Sequence, residues 1–255
     1  MAVVTATAVL SPLTPSDPNA IHLEDQLALM TIKHILGADF HGRDVFSRLV
    51  HGARVTMVVA TVTVMVAAVI GTLTGAIAGY VGRKVDAIIM RTMDIILSFP
   101  AIVLAMALTA ALGPSLQNSM ISITVVTIPA IARVARGQTL VVKEMDYVQA
   151  ARAIGVDDAS IIFRHIIPNC LGPITVQATL YMAVSILTTA SLGFLGLGAQ
   201  PPTPEWGADL AEGMRYMREA PWVAAFPGLA IFTAALGFNL LGDGLADIMN
   251  PRLRE

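Results

Sequence analysis

Between Val55 and Tyr80 the chain carries no charged side chain. A helix needs about 20 apolar residues to cross about 30 Å of hydrocarbon, so this run constrains the fold to one that answers to lipid. Four further windows repeat the signal: about Ile95 to Leu112, about Ser119 to Ala132, Cys170 to Leu192 and Trp222 to Gly242. Composition agrees, with 55% hydrophobic and 13% charged residues and a mean hydropathy of +0.71, far from an average soluble domain. Hydrocarbon offers no partner for backbone amides and carbonyls, and uncharged runs of this length point to helices rather than to a barrel. The expected fold class is an all-α polytopic membrane protein with five full transmembrane helices and a truncated N-terminal apolar segment.

Charge excludes some functions and suggests an orientation. Sixteen basic and eighteen acidic residues leave a formal net charge of −2, so no global basic field invites nucleic acid. Lone Cys170 excludes an internal disulfide and reads as packing. With the polar segment after Val141 on the inside, that side holds Arg83, Lys84, Arg91, Arg133, Arg136, Lys143, Arg152, Arg164, Arg252 and Arg254, against Lys33, Arg43, Arg48, Arg54, Arg215 and Arg218 outside. This bias places the inner face in the cytoplasm. Ala2 to Leu10 is apolar but too short to span, and Arg43 to Val55 suggests a short interfacial helix. The expected organisation is therefore 1–52, an N-terminal apolar remnant and exterior segment with that interfacial helix; 53–250, a transmembrane domain containing a cytoplasmic hairpin at 141–168; and 251–255, a cytoplasmic tail.

The hairpin is the most informative polar stretch. Tyr147 to Asn169 reads YVQAARAIGVDDASIIFRHIIPN between apolar runs. Ala150, Ala151 and Ala153, with Gln149 and Arg152, favour a helix. Gly155 is placed to stop it, Asp157 or Asp158 to cap a second short helix, and Pro168 to end that one. Small alanines on a short surface helix allow another protein to approach closely. From composition alone, an inert connecting loop reads equally well.

The spacing favours the first reading. Ala150, Ala151, Gly155 and Pro168 resemble the signature of ABC importer permeases, in which Glu-Ala-Ala is followed by Gly and, thirteen residues later, Pro. Gln149 stands in the place of the usual Glu, and His165 where many members have Ile. Leu36 to Thr56, Ser191 to Gly207 and Ala220 to Arg254 look like the C-type permease of oligopeptide, dipeptide and nickel importers. This resemblance implies a MetI-like fold and a non-catalytic subunit of the cytoplasmic (inner) membrane, with no cofactor, metal or catalytic residue of its own. It implies four kinds of partner: a second, B-type permease; one or two ATPase subunits; an extracytoplasmic solute-binding protein; and a di- or oligopeptide or similar small solute. It assigns ATPase coupling to Gln149, Ala150, Ala151, Arg152, Gly155, Asp157 and Pro168. Independently of family, no G-x-x-x-x-G-K-[ST] sequence occurs, so energy from nucleotide must come from elsewhere.

Other features weigh less. Gly71, Gly75 and Gly79 form a small-residue stripe expected to allow tight helix packing. Arg91 and Asp94 are spaced to pair on one helix; a proton relay through Asp94 is the alternative. Pro100, Pro129 and Pro227 interrupt spans and are expected to kink them. His41 with Asp44, or His22 with Glu24, offers no convergent set of three metal ligands. Trp206 is expected at the membrane interface, in an exterior loop from Phe194 to Pro221 that reads equally well as a binding-protein contact or gate and as an inert structured loop. An ion-coupled secondary transporter acting without ATPases is the competing function, and would need an intramembrane acidic relay and usually an internal repeat.

Overall fold

A computed structural model describes residues 17–249. The Ala2–Leu10 segment and the 251–255 tail lie outside those residues. Nine α-helices account for most of the described chain: α1 Val45–Val81, α2 Arg83–Leu97, α3 Ala101–Leu112, α4 Leu116–Val142, α5 Asp146–Ala153, α6 Asp158–Ile161, α7 Ile167–Phe194, α8 Trp206–Met214 and α9 Pro221–Met249. A π-helical turn, Ile162–Ile166, joins α6 to α7.

Four stretches are long and apolar enough to cross a membrane: α1, α4, the continuous path Asp158–Phe194, and α9. The pair α2–α3 passes the same test jointly but is bent by 89°. The bend falls at Ser98–Pro100, where Pro100 has no amide hydrogen to continue the ladder. Five spans are thus met as four helices and one broken pair. Pro129, Pro173 and Pro227, by contrast, lie inside α4, α7 and α9.

Two sequence expectations about helix limits are corrected. The interfacial helix is no separate element: α1 begins at Val45 and continues unbroken through Val81, about 55 Å at the usual rise. Asp44 caps it, accepting from the Ser47 amide at 2.8 Å. Its first turns need no water surface, because Arg48 is buried against a carboxylate. Pro168 does not end the second hairpin helix; it sits in the first turn of α7, where a missing amide costs least. The π turn just before it lets the Ile167 amide reach the Ile162 carbonyl, and the chain continues without a break.

The described residues divide into two compact units, one of residues 17–62, 105–123 and 182–238, the other of 63–104, 124–181 and 239–249. In the first, Ala53, Met57 and Ala60 of α1 pack with Ile186 and Ala190 of α7, Trp206 of α8 and Phe238 of α9. In the second, Ala76 and Tyr80 of α1 pack with Ile131 and Ala135 of α4 and with Val148, Ile161, Ile166 and Cys170. The glycine stripe serves that second core. A Cβ on Gly71 would meet Ile131, one on Gly75 the Ala132 carbonyl, and one on Gly79 Thr139. α1 and α4 therefore approach backbone to backbone, as the small-residue spacing predicts.

Candidate functional site: the hairpin and a buried charge cluster

The hairpin is built by local rules. α5 ends in a Schellman motif: the Val156 amide bonds the Ala151 carbonyl and the Gly155 amide bonds the Arg152 carbonyl, each at 3.1 Å. This closure requires the left-handed conformation that Gly155 adopts, φ +85°. Asp157 then caps α6, accepting from the Ser160 amide at 2.8 Å, and that amide holds the Asp157 carboxyl below its ordinary range. Val148, Ile161, Ile162 and Ile166 turn inward.

What remains outward is the candidate contact face. Gln149, Ala150, Arg152, Gly155, Asp157 and Pro168 are exposed, and Ile154 is 82% exposed. Ala151 is the exception, buried at 7%, so it supports the hairpin from beneath. Gln149 donates its Nε2–H to the Lys143 carbonyl at 2.8 Å, closing the gap between α4 and α5. A carboxylate in its place has no hydrogen to give.

In the same unit the expected Arg91–Asp94 pair is replaced. Asp94 accepts from Arg133 of α4 at 2.5 Å, and Asp86 takes Arg136 through both oxygens, at 2.5 and 2.6 Å. The reason is orientation: α2 meets α4 along the edge that carries these acids, so each faces a guanidinium across the contact, a planar two-point match at Asp86 and a single exposed bond at Asp94.

The first unit holds a site the sequence reading missed. Arg48 of α1 reaches Asp209 of α8 through Nε at 3.0 Å and through its terminal nitrogen. Arg43 bonds Asp39 at 2.6 Å and Glu212 at 2.7 Å. His34 and Asp44 approach to 3.0 Å. Glu205 caps α8, accepting from the Gly207 and Ala208 amides at 2.9 Å, and also receives the Thr56 hydroxyl at 3.4 Å. Burial pushes the Glu205 carboxyl up to about 7 against those bonds. Burial likewise raises Asp209 to about 6 despite Arg48, and its Oδ2 is buried without a hydrogen-bond partner among the described residues. Beside this cluster lies a half-open cavity of about 600 Å³ whose lining includes His41, Arg43, Gln200, Asp209, Glu212 and Arg215.

Two further expectations change here. Trp206 is not at an interface; it is 2% exposed, stacked over Gly52, with Nε1 donating to the Leu49 carbonyl at 2.9 Å. His22, Glu24 and Asp25 do converge, with ligand atoms within 4.8 Å of one another, although sequence spacing suggested no such set of three. Asp25 is already bonded to Lys33 at 2.5 Å, and that ammonium holds its carboxyl below the ordinary range.

Residues 71–255 match the family described as binding-protein-dependent transport system inner membrane component. The chain belongs to that family. It is the inner-membrane permease subunit of an ABC importer, as the hairpin spacing implied. The dipeptide transport system permease protein DppC of Alkalihalophilus pseudofirmus is 45% identical over 249 residues, 97% of this chain and 82% of that protein. The glutathione transport system permease protein GsiD of Pectobacterium atrosepticum is 48% identical over 222 residues, 87% of this chain and 74% of that one. Among solved structures, an inward-facing MetNI methionine ABC transporter chain has a TM-score of 0.63 at 21% identity, covering 80% of this chain and 97% of that one. The MetI-like fold expected of the importer permease is therefore present.

Proposed function

We propose that this permease forms half of the translocation path for di- or oligopeptides or chemically similar small solutes. A second permease supplies the other half, and cytoplasmic ATPases act on it through the 147–169 hairpin. The chain itself performs no catalysis in this reading; nucleotide hydrolysis belongs to the ATPases. A solute-binding protein delivers the substrate on the other side. The names of the dipeptide and glutathione permeases support the substrate class.

One observation carries the coupling assignment: a hairpin whose own residues fix its shape while Ala150, Ile154 and Gly155 stay uncovered. A rigid element with an open small-residue face suits an ATPase groove and transmits displacement without deforming. Cys170 is fully buried, so Ile154→Cys places a single accessible thiol on that face. In the purified complex this thiol should cross-link to an ATPase subunit bearing a cysteine in its groove, more strongly in one nucleotide state than in the other. Cross-linking to lipid or to the second permease alone would reject the assignment.

A further inference from the structure

The hairpin is joined covalently to α4 and α7, yet polar side chains from both of its arms meet a third helix. Tyr80 lies one residue before the end of α1 and is 7% exposed. Its hydroxyl donates to Asp158 Oδ1 at 2.5 Å. Its ring is covered by Arg152, with the guanidinium carbon 5.1 Å from the centroid. Arg152 belongs to α5 and Asp158 to α6, on opposite sides of the Gly155 turn. One aromatic side chain thus touches both arms of the hairpin. The preceding residue adds a second tie, since the Gly79 carbonyl accepts Lys143 Nζ at 3.0 Å. Gly82, at φ +69°, turns the chain immediately afterwards, so α1 ends where it is fastened.

These contacts differ in kind from the apolar packing around them. Packed methyl groups can slide, whereas a hydrogen bond to a carboxylate and a cation over a ring set both distance and direction. We propose that Tyr80 is a positioning residue that fastens α1 to the hairpin through Asp158 and Arg152, so that hairpin displacement is delivered to α1 as well as to α4 and α7. The proposal rests on the hairpin being the ATPase-coupling element. With the fastening intact, α1 follows the hairpin; without it, part of each ATPase stroke is lost between the hairpin and the first span.

The test uses the complete importer, with its second permease, ATPases and binding protein, reconstituted in liposomes. Solute uptake and ATP hydrolysis are measured on the same vesicles. Tyr80→Phe removes only the hydroxyl and keeps the ring under Arg152. Asp158→Ala removes the acceptor, and Asp158→Asn keeps a carbonyl oxygen at the same place. Tyr80→Phe and Asp158→Ala should each lower uptake per ATP hydrolysed by about tenfold, the factor matching one hydrogen bond to a charged acceptor. The double variant should be no worse than either single one, because both remove the same bond. Asp158→Asn should restore most of the ratio. An unchanged ratio in Tyr80→Phe, additive losses, or an Asn variant as impaired as the Ala variant would overturn the fastening. Ile154→Cys is carried in every background. Cross-linking to the ATPase with an unchanged ratio defeats the Tyr80 proposal alone, whereas no cross-linking in the otherwise unaltered chain defeats the coupling reading and this proposal together.

Discussion

The hairpin and the cluster around Arg48 are both polar regions attached to apolar helices, but they treat their charges in opposite ways. In the hairpin, Gln149, Arg152 and Asp157 stay exposed and the carboxylate of Asp157 is held below its ordinary range by bonds from nearby residues, the Ser160 amide first. In the cluster, Asp39, Arg43, Arg48, Glu205 and Asp209 are all buried. The hairpin draws its shape from a stop signal, a cap and a turn within about twenty residues. The cluster joins α1 to α8 across more than 150 positions, as in the 161-residue separation of Arg48 and Asp209. A region fixed locally can keep its outer face free for another protein. One fixed by distant charges commits most of its polar groups to each other and holds helices in register instead, even where it borders an open cavity.

The largest effect should come from unpairing a buried charge. Arg48→Ala removes the only cation that hydrogen-bonds buried Asp209 among the described residues, leaving Arg43 as its nearest remaining positive charge, and loss of about 3 kcal/mol of stability is expected. Thermal unfolding of the purified protein in detergent checks this. The paired replacement Arg48→Met with Asp209→Leu should recover most of the loss, since an ion pair and a packed apolar pair differ little once both are buried. If Arg48→Ala unfolds no earlier than the parent chain, the cluster is as solvated as the hairpin and the contrast fails.

Acid should act on the two regions with opposite sign. Unfolded, Glu205 and Asp209 release their protons near 4.5 and 3.8; folded, they hold them to about 7 and about 6. Between those limits the folded chain binds more protons, so the cluster's contribution to stability falls as pH rises from about 4 to about 7. For Glu205 the change is about 3 kcal/mol. Asp157 is depressed instead, so its contribution is present above its ordinary value of 3.8 and is lost as pH falls through the folded value. Glu205→Gln keeps one acceptor oxygen for the two α8 amides that now use both and removes the titration, so the slope between pH 4 and 7, read as unfolding temperature against pH, should become shallower, with the Asp209 part remaining. An unaltered slope would show that Glu205 is ionised in the folded chain.

The same division explains what was legible in the sequence. The uncharged runs revealed the spans, and the Gly71, Gly75 and Gly79 stripe revealed the α1–α4 contact, because each signal lies within one helix. Gly155 and Asp157 were legible because turn and cap chemistry acts over a few residues. Asp94 was assigned to Arg91 by helix spacing, yet the structure gives it Arg133, 39 positions away. Arg48 and Asp209 carry no local mark of their pairing, and Trp206 looks like an interface residue until Gly52 is seen to make room beneath it. Pro168 was read as a stop because a proline's cost inside a helix is known, whereas the π turn that absorbs it has no sequence signature.

Gly155 tests the hairpin on its own terms. A Cβ there would meet nothing within 4 Å, so Gly155→Ala costs only the left-handed backbone, about 1–2 kcal/mol. Membrane insertion should be intact and uptake reduced. Gly155→Pro cannot adopt φ +85° and should abolish uptake while the cluster's unfolding transition is unchanged. A parallel loss in that transition would show that the hairpin and cluster are one cooperative unit.

The smallest expected effect is the sharpest for the hairpin's local character. Gln149→Glu introduces the residue that the resemblance to importer permeases led one to expect, but a carboxylate cannot donate to the Lys143 carbonyl that now receives Nε2. Loss of one exposed bond should destabilise the α4–α5 junction by about 1 kcal/mol, or about fivefold faster amide exchange where that junction opens. The Val148 and Gln149 amides, which both bond the Met145 carbonyl, are the reporters, and mass-resolved exchange over 143–150 reads them. Exchange within α8 should not change, because nothing in the hairpin's local bonding involves Glu205 or Asp209. Faster exchange confined to the junction would fit a hairpin whose shape is set bond by bond. If exchange there were unaltered, the helix pair would be held by the buried apolar side of Val148 and Ala151, with Gln149 contributing only to the outer face.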